Sequence, residues 1–100
     1  MSEFLLILYS RKGCCLCEGL EQRLSSLSLQ HLTPPLSLHV IDIDASETPK
    51  ELRARYDLQV PVMTICRNDL KALFELPRVS SRLNSEGLLN WLQNTLTKNL

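Results

Sequence analysis

Three cysteines crowd into four positions of the stretch Arg11-Lys12-Gly13-Cys14-Cys15-Leu16-Cys17-Glu18, directly after two cations and a glycine. Thiols can exchange with disulfides, bind soft metals, or serve as small apolar filler. Cys14 and Cys17 are separated by two residues. At the start of a helix that spacing puts both sulfurs on one face, one turn apart, close enough to bridge. Cys14 then sits where backbone N–H groups have no partner within the helix. The positive end of the helix dipole favours a thiolate there by roughly 0.3–1 kcal/mol. Arg11 and Lys12 add positive charge. Together these terms draw a thiol from its usual value of about 8.5 toward neutrality. Cys14 is the expected nucleophile, and Cys17, deeper in the helix, the expected resolving thiol. Cys15 diverges from that face and is either half-buried filler or an alternative resolving thiol.

A metal site competes with this reading. It needs two further ligands, and His31, His39 and Cys66 are the candidates. The sequence holds no second Cys-x-x-Cys and no spaced histidine pair, so no resident metal is expected. A purely structural role suits Cys66, which alternates with Val62 and Thr64 on a strand. It suits Cys14 poorly, because a loop-to-helix junction is seldom deep core. Asp42 and Asp44 flank Ile43 at a strand end, where turn-forming or solvated roles are usual. Glu18 and Glu21 are expected in solvent, with Glu18 lowering the reactivity of Cys14. His31 and His39 are isolated, and Trp91 is expected to pack on the last helix.

The elements that must position the cysteines follow from periodicity. Residues 3–9 are a continuous run ending in Phe4-Leu5-Leu6-Ile7-Leu8-Tyr9, as in a strand buried on both faces. From Cys15 the pattern turns helical, with Leu16, Leu20, Leu24 and Leu27 on one stripe. Pro34-Pro35 forbids continuation. Leu36, Leu38, Val40 and Ile41 make a second strand. Thr48-Pro49-Lys50-Glu51 opens a short helix to about Tyr56, with Thr48 as cap and Glu51 completing a capping box. Val62 to Cys66 and Lys71 to Leu76 are two further strands, joined by the turn Arg67-Asn68-Asp69 into an antiparallel hairpin. Ser85 caps a last helix with Leu88, Leu89, Leu92 and Leu96 inside. The order β-α-β-α-β-β-α predicts an α/β fold of the α+β sandwich type, a four-stranded mixed sheet with helices packed on it. Its βαβ unit should be right-handed. A Cys-x-x-Cys between the strand and helix of such a unit reads as a thioredoxin-like redox motif.

The totals bound the rest. One domain over residues 1–100 is expected from a chain of 100 residues with 44% hydrophobic and 22% charged content. Eleven basic residues balance 11 acidic ones, which argues against nucleic-acid binding and against a polybasic membrane anchor. The first apolar run is far shorter than the roughly 20 residues of a membrane span, and its acidic start lacks the features of a secretory signal. A cytoplasmic monomer is expected. In a reducing compartment, cysteines serve chemistry more often than structure.

The segment Tyr9-Ser-Arg-Lys-Gly-Cys-Cys-Leu-Cys17 resembles the opening of glutaredoxins, in the thioredoxin superfamily, and in particular small bacterial glutaredoxin-like proteins with a CxLC motif. The stretch from Val40 to Val62 also resembles thioredoxins. The resemblance implies a thioredoxin/glutaredoxin fold and a thiol–disulfide oxidoreductase with Cys14 and Cys17 catalytic. Arg11 falls where glutaredoxins place a cation on a glutathione carboxylate, and Lys12 stands beside it at the substrate. Val60-Pro61-Val62 resembles the cis-proline segment, which implies a cis Pro61 and a Val60 backbone offered to substrate as a strand-like edge. The implied substrate is a protein disulfide or a glutathione mixed disulfide. No bound cofactor is required, and glutathione is a possible co-substrate. The reductant is glutathione or a flavoprotein of the thioredoxin-reductase type. Two departures stand out. The glutaredoxin Gly-Gly and Cys/Ser-Asp-Asp segment is replaced by Leu76-Pro77-Arg78-Val79-Ser80-Ser81, leaving Arg78 or Arg82 to hold a carboxylate. Thioredoxins carry a WCGPC motif and a buried acid where this chain has Leu8. Two rival readings are a metal or iron–sulfur module, with a cluster shared across a dimer, and a non-catalytic adaptor of the same fold.

Overall fold

The computed structural model describes residues 4–67, 72–80 and 82–100. Strand β1 (Phe4–Ser10) leads into helix α1 (Cys15–Ser25), followed by a 3-10 turn at Leu29–His31. Strand β2 (Leu36–Asp42), helix α2 (Lys50–Tyr56), strands β3 (Val62–Arg67) and β4 (Ala72–Glu75), and helix α3 (Ser85–Asn99) complete the order. The turn expected at Arg67-Asn68-Asp69 and the strand start at Lys71 lie largely outside the described residues.

The sheet order is β2-β1-β3-β4. β1 pairs in parallel with β2, Leu6 opposite Leu38, and antiparallel with β3, Tyr9 opposite Val62. β3 and β4 are antiparallel. This is the four-stranded mixed sheet expected from the order of elements.

Alternation along the central strands divides the core into two layers. Leu6, Leu8, Met63 and Ile65 pack with Leu20 and Leu24 of α1 and Leu88, Leu92 and Leu96 of α3. Ile7, Tyr9, Val62 and Cys66 pack on the other face with Tyr56 and, at its margin, Leu52 of α2. Each fully buried leucine contributes roughly 1.5–3 kcal/mol by leaving water, so the larger layer dominates.

Three local readings need correction. Leu16 is not on the inner stripe of α1: it is 51% exposed, and Cys17, Leu20 and Leu24 are the buried residues. The hydrophobic stripe begins one residue later because Cys17 is itself core. Thr48 does not cap α2. Its hydroxyl donates to the Asp42 carbonyl at 2.7 Å, and Pro49 occupies the cap position with no side-chain bond. Asn84, rather than Ser85, caps α3, its side-chain oxygen accepting from the Gly87 N–H at 2.8 Å.

Candidate active site

The cysteines sit at the carboxyl end of β1, where open α/β sheets place their sites. Gly13 makes the turn possible. Its φ of +82° lies in the left-handed region that only glycine adopts without cost. Cys14 follows in extended conformation as the N-cap of α1. Cys14 and Cys17 form a disulfide with their Cα atoms 5.2 Å apart. The Cys17 N–H also donates to Cys14 Sγ at 3.2 Å. One of the helix's unpaired donors is therefore spent on the sulfur, in the geometry that stabilises negative charge there. Cys14 is half-buried, whereas Cys17 is 2% exposed. Of the two, Cys14 lies nearer the surface.

Cys15 is exposed and free. Cys66 is buried on β3, with Thr64 Oγ1 at 3.8 Å from its sulfur. His31 and His39 are both exposed. Among the described residues no three His, Cys, Asp or Glu side chains are placed to hold a metal ion. Asp42 closes a turn, its Oδ1 accepting from the Asp44 N–H at 2.9 Å.

Arg11, given a substrate-binding role above, is hydrogen-bonded within the chain. Its Nε and Nη2 donate to the two Asp44 carboxylate oxygens at 2.9 and 3.0 Å. Nη2 also donates to Asp57 Oδ1, and Nη1 to the Asp57 carbonyl, both at 2.8 Å. The physical reason is that two loops, after β2 and after α2, bring carboxylates to the same spot, and a planar guanidinium satisfies both. Arg11 is thereby a clamp between three loops of the site, and its charge is offset twice over. Lys12 is exposed.

The Arg11 guanidinium holds the Asp44 carboxyl below its usual range, mainly through their hydrogen bonds and then through charge. A carboxylate lowered in the folded state contributes stability above its unfolded value, about 3.9, and loses it as pH falls through the folded value. Removing the clamp with Arg11→Met should therefore destabilise the protein at pH 7, and the gap to wild type should narrow below about pH 4. Thermal melts of both proteins from pH 7 to pH 2.5 check this. A constant gap would assign the effect to the Asp57 carbonyl and to packing instead.

The Val60–Pro61 peptide bond is cis, as is Thr33–Pro34. Tyr56 organises the loop before Pro61. Its carbonyl accepts from the N–H groups of Gln59 and Val60 at 3.0 and 3.2 Å. Its hydroxyl donates to Glu75 Oε1 at 3.0 Å, and its ring lies 4.8 Å from that of Tyr9. Burial and the neighbouring carboxylate push the Tyr56 hydroxyl upward, so it remains protonated. The edge assigned to Val60 is thus half used within the chain: the N–H is taken by Tyr56, and only the carbonyl lacks a donor among the described residues.

Sequence reasoning misplaced one residue of the site. Leu16, assigned to the core, lines a cavity of about 110 Å³ together with Leu20, Arg23, Pro61, Arg78 and Val79. The cis-proline loop and the first turn of α1 therefore meet at this cavity. The available signal for Leu16 was its place between two site cysteines, where an outward side chain meets whatever the cysteines meet.

The fold matches solved structures at low identity. A mutant thioredoxin from Halobacterium salinarum is 19% identical over 94% of this chain and 75% of its own, with a TM-score of 0.61. The germline-specific thioredoxin Deadhead of Drosophila melanogaster is 18% identical over 99% and 83%, with a TM-score of 0.61. A disulphide isomerase from Xylella fastidiosa Temecula1 is 15% identical over 95% and 79%, with a TM-score of 0.65. At this identity the likeness establishes the thioredoxin fold. No curated protein sequence matches the chain. The Cys14–Cys17 bridge at the first loop-to-helix junction of that fold supports a redox function. The model of the glutaredoxin-like domain (DUF836) matches residues 5–93, and the chain belongs to that glutaredoxin-like family.

Proposed function

We propose that the protein is a dithiol–disulfide oxidoreductase acting on protein disulfides. One observation carries this: the Cys14 sulfur caps α1 while the bridged Cys17 lies buried directly behind it. In the reduced protein the Cys14 thiolate attacks one sulfur of a substrate disulfide. A Cys14–substrate disulfide forms, and the other substrate sulfur leaves as a thiolate. Cys17 then gives up its proton and attacks Cys14 Sγ. The second substrate thiol is released, and the Cys14–Cys17 bridge carries the two electrons' worth of oxidation. A thiol reductant, glutathione or a flavoprotein-coupled dithiol, restores the dithiol. No bound cofactor takes part, and the chemistry suits a reducing cytoplasm.

The surroundings favour a polypeptide over glutathione as the oxidised substrate. Leu16, next to Cys17 in the first turn of α1, presents a large exposed apolar side chain, and Arg11 is committed to Asp44 and Asp57. The test is a redox titration in glutathione buffers, read by mass after thiol trapping. Wild type should lose two hydrogens' mass with a midpoint of about −200 to −230 mV. No bridge at any poise would overturn the proposal.

A further inference from the structure

The cavity between the first turn of α1 and Pro61 has a composition of its own. Leu16, Leu20, Pro61 and Val79 give it apolar walls, and Arg23 and Arg78 stand at it. At about 110 Å³ it is on the scale of apolar cavities that hold a single benzene ring. The two cations differ. Arg23 donates to the carbonyls of Gly19 and Leu83. Arg78 is exposed and spends one N–H on the Gln59 carbonyl at 3.0 Å. That bond ties it to the loop carrying Pro61. The remaining N–H groups of its guanidinium have no partner among the described residues, and a guanidinium held at one corner is prepared for a carboxylate. Glu75 lines a second cavity together with Arg78 and Pro61, and it accepts from the Tyr56 hydroxyl.

The geometry points to a sequence preference, resting on the dithiol reading above: the polypeptide substrate carries an apolar side chain next to its reactive cysteine, seated between Leu16, Pro61 and Val79, followed by an acidic residue paired with Arg78. The exposed Leu16 extends the apolar contact beyond the cavity, which a partner of polypeptide length can cover. Charge complementarity at Arg78 selects among such partners, because the protein as a whole has no net charge to steer them.

Two synthetic peptides test this, each bridged to the same neutral thiol and differing only in Cys-Leu-Glu against Cys-Leu-Lys. Pre-reduced protein is mixed with each, and formation of the Cys14–Cys17 bridge is followed by acid quench and mass. Wild type should react about fivefold faster with the glutamate peptide at low salt, a ratio set by one exposed ion pair, and the ratio should shrink in high salt. Arg78→Glu should reverse the preference, and Arg78→Gln should abolish it. Equal wild-type rates overturn the proposal whether or not the variants fold. So does a preference that survives Arg78→Gln, or faster reaction with glutathione disulfide that is lost in the same variant. A small neutral disulfide separates the two levels. If wild type reduces it and Cys14→Ser does not, the dithiol chemistry stands whatever the peptides show.

Discussion

Cys14→Ser is expected to bring disulfide exchange down to the uncatalysed rate, whereas Cys17→Ser is expected to accumulate a stable mixed disulfide on Cys14. The asymmetry follows from burial. Cys17 is 2% exposed, so with Cys14 replaced it cannot meet a substrate sulfur. Cys14 lies at the surface with the Cys17 N–H aimed at its sulfur at 3.2 Å. That backbone donor survives replacement of the Cys17 side chain, so the nucleophile keeps its activation. What is lost is the second attack, because a serine hydroxyl does not displace a thiol from a disulfide. Mass spectrometry of quenched mixtures reads both species directly. Cys15→Ser serves as the control: Cys15 is exposed but outside the bridge, and its replacement should leave exchange within about twofold. Mixed disulfide on Cys17 in the Cys14→Ser protein would reverse the assignment.

The second large effect is on stability. Leu24→Ala should cost about 2–5 kcal/mol, the range for a buried leucine whose cavity cannot collapse. Leu24 is fully buried in the layer joining α1, α3 and the sheet. For a domain of this size such a loss lowers the melting temperature by roughly 10–25 °C. Leu16→Ala should cost within about 0.5 kcal/mol, since Leu16 is 51% exposed. Both leucines fall on one helical stripe by spacing alone, so the pair separates sequence periodicity from tertiary placement. Calorimetry or denaturant unfolding of the two variants measures it, and equal costs would mean that Leu16 is core after all.

Glu18 and the helix dipole pull in opposite directions at Cys14. Glu18 is exposed in the first turn of α1, so its effect on the thiol is screened by water. The N–H contact at the sulfur is short and directional. The backbone term therefore outweighs the side-chain charge, and the same holds for Lys12, which is also exposed.

By itself the sequence determined the order of elements, the sheet that joins them and the cysteine pair. Those features rest on signals that are local or periodic: an unbroken apolar run for β1, Pro34-Pro35 after the first helix, the hairpin pattern after Pro61, and two thiols at a spacing set by one helical turn. The tertiary structure decided what each neighbour of the pair does. The loops after β2 and α2 bring Asp44 and Asp57 to Arg11 from 33 and 46 residues away. Leu16 looks like core until Cys17 takes the inward position. The Val60 N–H is taken by the Tyr56 carbonyl. For Arg11 and Val60 the partner is distant in sequence or belongs to the backbone, and side-chain spacing carries no record of either.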